Sequence, residues 1–280
     1  MPDTRRLPSL VAPLGLLAIA LWGVLAILPL VWMVVTSLKT SSQVFTYPPI
    51  WVPSPVTLEH YRRILEASPF PRMFLNSAVV GIVVTALQLT TSTLAGFAFA
   101  RLVFPGRTWV FLLFLGTLMI PEQVTFVPLF IVARYGHLVD TYFGLILPTM
   151  VSPFGIFLLR QAFMTVPREL EDAARIDGCN TWQTLWRVLV PVVRPSMATV
   201  ALFAFLGSWN TYFWPLIVTQ STEMRTLPVG LRYFLSDPDL GTDWGALMAA
   251  STLTLLPVLL LFAITQRQFV QGLLAGSLKA

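Results

Sequence analysis

The sequence predicts an all-α integral membrane protein, with six transmembrane helices and a cytoplasmic helical segment between the fourth and fifth. Three observations lead there. Of 280 residues, 56% are hydrophobic and 11% charged, where a soluble domain carries about a quarter charged residues. The apolar residues fall in long runs, each close to the ~20 residues a helix needs to span a bilayer. Strand-type alternation is absent, which excludes a β-barrel. The net charge of +5 reads as basic loops at the inner face of a membrane, with no nucleic-acid partner. The single cysteine, Cys179, excludes an intrachain disulfide, and His60 and His137 are too far apart to imply a metal site.

The expected spans are 10–35, 73–100, 108–132, 141–159, 195–219 and 244–266. The first carries no charge and is longer than a signal-peptide core, so it reads as an uncleaved helix. The third contains Glu122 and is expected to bend at Pro121 and Pro128. With the N-terminus inside, most of the 18 Arg and Lys residues fall on the cytoplasmic side. Residues 1–9 and 267–280 are then cytoplasmic tails, and 160–194 is a cytoplasmic loop.

That loop holds the most informative stretch, PRELEDAARIDGCNTWQTLWRVLVP from Pro167 to Pro191. Glu169, Glu171 and Asp172 suit the start of a helix, where the macrodipole favours acids. Leu170, Ala173, Ala174 and Asp177 fall at helical spacing and form a small, nearly flat face. Gly178 is placed to end the helix. Asn180 is placed to cap a second one, with Gln183 three residues on. Trp182, Leu185, Trp186 and Leu189 are expected to share a face of that second helix, and Pro191 and Pro195 to close the segment.

Asp172-Ala173-Ala174, then Gly178, then Val188-Leu189-Val190-Pro191 resembles the EAA loop of ABC importer permeases, with Asp in place of Glu. The SLK…PPIWVP…HY pattern after the first span, Trp209-Asn210-Thr211-Tyr212 to Pro215 in the fifth, and the tail with Gly272, Gly276 and Lys279 are similar to carbohydrate-type members, such as the smaller permease of maltose-type systems. The resemblance implies a type I ABC importer permease fold in a bacterial inner membrane, both termini cytoplasmic. It implies a second homologous permease, an ATPase dimer and an extracytoplasmic sugar-binding protein as partners. It also implies that Glu171, Asp172, Ala173, Ala174, Gly178 and Pro191 couple the chain to the ATPase. No cofactor is expected in this chain, with ATP and Mg on the partner. A phosphate-cradling loop needs Gly-Lys-Ser/Thr. The only lysines are Lys39, after Leu38, and Lys279, before Ala280.

Within the spans, three polar residues are candidates for a substrate path: Gln88, Asn210 and Tyr212. An Asn amide offers donors and acceptors to hydroxyls, and aromatic faces suit the apolar faces of a sugar ring. Each also admits a packing role, since polar side chains bond neighbouring helices in membranes. Glu122 has two readings as well. A carboxylate inside a span is a functional candidate, which would make a proton-coupled transporter. At the start of a Pro-broken helix it would instead face freed backbone N–H groups. Cargo other than a sugar, such as a polyol or glycerol phosphate, is the alternative within the same class.

Overall fold

The computed structural model describes residues 11–235 and 242–277, with side chains from 13 to 266 of these. Among the described residues every regular element is helical. In chain order these are α1 Val11–Ser37, α2 Glu59–Glu66, α3 Phe70–Arg101, α4 Arg107–Thr117, α5 Glu122–Tyr135, α6 Tyr142–Ile146, α7 Pro153–Thr165 and α8 Glu169–Ile176. Then come α9 Thr181–Gln183, α10 Val190–Asn210, α11 Phe213–Val218, α12 Leu227–Gly230 and α13 Trp244–Ser277. The chain divides into two compact units, residues 1–68 with 231–255, and residues 69–230 with 256–280.

Among the described residues, four helical stretches are long and apolar enough to cross a bilayer: Pro13–Ser37, Phe70–Arg101, Thr181–Asn210 and Trp244–Gln266. The pairs α4–α5, bent by 99°, and α6–α7, bent by 45° across a turn, reach that length only when each pair is taken together. Counted as one span each, they would raise the number from four to six. The stretch 108–132 is therefore not one continuous helix. Its interruption falls at Pro121, while Pro128 sits inside α5. Pro121 disfavours helical backbone in the residue before it. The end of α4 tightens accordingly, Leu118, Met119 and Ile120 each donating to the carbonyl three residues back at 3.0, 3.1 and 3.2 Å. The stretch 141–159 breaks likewise, at Pro148 and before Pro153, where Ser152 Oγ accepts the Gly155 N–H at 3.0 Å.

Two further boundaries differ from the sequence expectation. Pro191 does not end a helix, because Thr181–Asn210 runs through both Pro191 and Pro195. Proline removes an N–H and its ring crowds the carbonyl four residues back, here that of Arg187. The helix answers by widening into a π segment over Thr184–Leu189, immediately before Pro191. At the other end, 195–219 is not continuous. The helix stops at Asn210 and resumes at Phe213. Pro215, lacking its N–H, sits in the first turn of α11, the position where that group has no helical partner.

In the first unit, α2 buries His60 and Ile64. Leu58 and Leu65 are exposed. His60 Nε2 donates to the Lys39 carbonyl at 3.0 Å, and Arg63 pairs with Asp243. The Lys39 ammonium lies 3.9 Å from the Trp32 ring centroid, and Trp32 meets Trp51 edge-on at 5.0 Å. In the second unit, α3 packs on α7 and α10. Phe97, Leu159, Phe163, Leu185, Leu189 and Val200 form one buried cluster there. Val80, Val84, Leu145, Ile146, Trp214 and Val218 form another. Arg5, Arg6, Asp237, Asp239 and Lys279 lie outside the described residues, and Gly272 and Gly276 are described only as backbone of α13.

Candidate functional site

The second unit contains a cavity of about 600 Å³. It lies where the continuous helix α3 meets two interrupted stretches. The middle of α3 contributes Ser77, Val84 and Gln88, the first turns of α5 contribute Glu122, Gln123 and Phe126, and the break between α10 and α11 contributes Asn210, Tyr212, Phe213 and Trp214. All three residues read from sequence as a substrate path therefore line one cavity, in company with the aromatic pair Phe213 and Trp214. The break after Asn210 makes this possible, since a continuous helix would turn some of these side chains away.

The chemistry is that of a hydrogen-bonding wall opposite aromatic faces. Gln88 Nε2 donates to the Thr149 carbonyl at 2.6 Å, and Asn210 Nδ2 donates to the Leu206 carbonyl at 2.9 Å. Each amide is thereby held by its nitrogen, and among the described residues no hydrogen bond reaches the amide oxygen of either. Both oxygens are acceptors for hydroxyls. Tyr212 meets Phe213 edge-on at 5.5 Å, and Phe126 and Phe213 lie 6.3 Å apart. Trp214 is fixed by donation from Nε1 to the Gly144 carbonyl at 3.0 Å. Asn76, by contrast, is fully buried and spent on structure. It donates to the Glu223 and Arg225 carbonyls at 2.7 and 2.9 Å and accepts from the Tyr142 hydroxyl at 2.6 Å.

The wall at α11 is tied down by Asp140. Its Oδ1 accepts the backbone N–H groups of Gln220 and Ser221 at 2.9 and 3.0 Å, just past the end of α11. Burial pushes this carboxyl up, and the N–H donors more than offset it, so it titrates below the usual 3.8. A carboxylate with a lowered folded pKa adds stability that is complete above its unfolded value and is lost as pH falls through the folded one. Asp140→Asn is therefore expected to flatten the acid limb of the stability curve below about pH 3.8, read as the thermal midpoint in detergent against pH. An unchanged acid limb would mean that the two donors do not hold the charge.

The second constellation is the segment 167–191. Its helix α8 ends as expected. Gly178 takes φ +82°, Cys179 N donates to the Ala174 carbonyl and Gly178 N to that of Arg175, a Schellman ending. Asn180 and Gln183 then form a capping box, at 2.8 and 2.9 Å. Other details depart from the sequence reading. Leu185 and Leu189 are fully buried, but Trp182 and Trp186 turn outward and meet edge-on at 5.8 Å. The covered face of α8 is Glu171 and Ala174, while Leu170, Asp172, Ala173 and Asp177 are exposed. Glu171 was expected to face a partner alongside Asp172. Its carboxylate instead lies 2.7 Å from Arg101 Nε, both side chains nearly enclosed. Adjacent residues of a helix point about 100° apart, and here Glu171 faces the protein while Asp172 faces solvent.

Residues 92–274 match the family described as binding-protein-dependent transport system inner membrane component. The chain belongs to this family. The permease protein AraQ of an arabinooligosaccharides transport system, from Halalkalibacterium halodurans, is 36% identical over 98% of this permease and 99% of AraQ. The permease protein UgpE of an sn-glycerol-3-phosphate transport system, from Yersinia pestis, is 37% identical over 90% and 92%. A bacterial ABC transporter that imports the acidic polysaccharide alginate contains a chain of the same fold, with TM-score 0.85 and 21% identity over 96% of this permease and all of that chain.

One residue that holds the permease's segment 167–191 escaped the sequence reading. Arg101, at the end of α3, pairs with Glu171 on α8 and also donates through Nη2 to the Val166 carbonyl just past α7. It thus ties three elements together. Its signal in sequence is only a basic residue closing an apolar run, which reads equally well as a membrane-boundary anchor.

Proposed function

We propose that this chain is the membrane-spanning permease subunit of an ATP-binding-cassette importer in a bacterial inner membrane, and that it passes a sugar through the cavity lined by Gln88, Asn210 and Tyr212. The observation that carries the cargo is that cavity, where amide acceptors and aromatic faces meet. An extracytoplasmic binding protein delivers the sugar, and a second homologous permease completes the path. The ATP and magnesium belong to a separate ATPase dimer. That dimer docks on the exposed side of α8, at Asp172, Ala173 and Leu170, with Trp182 and Trp186 beside it. The segment 160–194 and both termini are cytoplasmic in this reading. Closure of the ATPase dimer moves the docked helices together and switches the spans between two arrangements that cargo and nucleotide favour differently. A proton relay through Glu122 finds no second carboxylate and no histidine among the residues lining the cavity, and no observation supports it.

The test is co-purification from solubilised membranes. Wild type is expected to bring down an ATPase and a second permease, and Asp172→Arg to lose the ATPase alone. Purification of the wild type without an ATPase would overturn the reading. Gly178→Val tests the turn. A Cβ at Gly178 meets open space, so the penalty is backbone strain alone, about 1–2 kcal/mol for a side chain at positive φ. Membrane insertion should survive, and ATP hydrolysis should proceed with uptake lowered severalfold. Normal uptake by a well-expressed Gly178→Val protein would remove the turn from the coupling path.

A further inference from the structure

We infer that Glu122 makes the cavity a filter for charge, admitting uncharged polyhydroxylated cargo and rejecting anions. This rests on the reading of the cavity as the cargo path. The permease's two relatives described above are named for cargoes of opposite kind, an arabino-oligosaccharide and glycerol 3-phosphate. One difference between such cargoes is a formal charge, so the charges lining the path are a place to look. Among the residues lining the cavity there is one charged side chain, Glu122, and no Arg, Lys or His. A phosphate or uronate path needs the reverse, since anions are recognised by Arg forks or Lys point charges.

The position of Glu122 sharpens the point. It is the first residue of α5, a helix of 14 residues, and Gln123, Thr125 and Phe126 of the following turn line the same cavity. A helix N-terminus that opens on a cavity draws anions, because its first N–H groups are free and the macrodipole is positive there. In this chain the helix supplies its own anion at that end. Glu122 offsets the local positive potential and places a fixed negative charge where a cargo anion would otherwise be favoured. Sugar hydroxyls are indifferent to that charge or donate to it, whereas a cargo carboxylate or phosphate is repelled. A cavity with low-dielectric walls magnifies the repulsion, so that a single cargo charge should cost at least about tenfold in affinity.

The probes are trigalacturonate and its trimethyl ester, which share size and hydroxyl pattern and differ in charge. Binding is measured by calorimetry on the assembled importer in nanodiscs without its binding protein, so that the permeases alone discriminate. Wild type is expected to favour the ester by at least about tenfold. Glu122→Gln should bring the ratio close to one by tightening trigalacturonate, and Glu122→Asp should restore the preference. A ratio unchanged in Glu122→Gln would overturn the inference, as would wild type binding neither probe. Co-purification of the ATPase is scored in the same preparations. If it is present while the ratio fails to move, the filter alone has failed. If it is absent from wild type, the importer reading has failed with it.

Discussion

Arg101→Met is expected to free α8 without unfolding the membrane core. The Arg101 and Glu171 side chains are only 8% and 12% exposed and their charged atoms lie 2.7 Å apart. Removing one partner from such a pair leaves the other charge enclosed and uncompensated, which costs about 3 kcal/mol. The loss is local, because α8 is short and its covered face consists of Glu171 and Ala174. Local opening exposes a ready site for trypsin at Arg175, whose side chain is already 71% exposed but held in helix. The rate of nicking there should rise about a hundredfold, the factor that 3 kcal/mol carries when opening precedes cleavage. Glu171→Met should do the same for the mirror-image reason. The double replacement, Arg101→Met with Glu171→Met, should fall well below the sum of the singles, since neither charge is then stranded. Additive single effects would show an ion pair worth no more than a surface one. In the importer, the same variants should lose ATPase co-purification, because Asp172 and the outward surface of α8 would no longer be held in place by α3.

This pair also shows where sequence reading stops. The end of α8 and the start of α9 were legible because cap chemistry is local. A glycine at positive φ and an Asn–Gln box are complete within a few residues, and no distant partner is needed to recognise them. Glu171 is the opposite case. Its partner lies 70 positions away, and nothing in a helical periodicity says which of two adjacent acids will turn inward. The spans show the same division. Hydropathy summed over a window locates apolar stretches, but it does not distinguish an unbroken helix from two helices meeting at 99°. Proline marks the places without deciding the outcome. At Pro121 the chain breaks, and at Pro191 it widens by a π turn and continues. The convergence of Gln88, Asn210 and Tyr212 depends on those breaks, so the residues were individually visible in the sequence and their common cavity was not.

Gly144→Ala should be a damaging single methyl behind the cavity wall, where the Gly144 carbonyl holds Trp214. A Cβ at Gly144 would overlap the Leu138 carbonyl oxygen, and would sit 3.1 Å from the Leu138 carbonyl carbon and 3.3 Å from Val218 Cγ2. The first obstacle is backbone, so no rotamer change relieves it. The Leu138 carbonyl is also fixed, because it accepts the Thr141 hydroxyl at 2.7 Å while Thr141 Oγ1 accepts the Gly144 N–H at 3.1 Å. That cap sets the start of α6, and the Gly144 carbonyl in turn holds the Trp214 indole. Relief therefore requires α6 to move off Leu138 and to loosen Trp214 in the cavity wall. Overpacking of this kind costs about 3 kcal/mol, and sugar uptake in proteoliposomes should fall at least tenfold. Gly116→Ala is the control. It lies in α4 with nothing within 4 Å of its Cβ, and Ala in a helix interior is favoured over Gly by up to about 1 kcal/mol. It should leave uptake unchanged. If Gly144→Ala transports as well as Gly116→Ala, the close seat of α6 on Leu138 is not what positions Trp214, and the cavity wall must take its shape from Asp140 and the end of α11 instead.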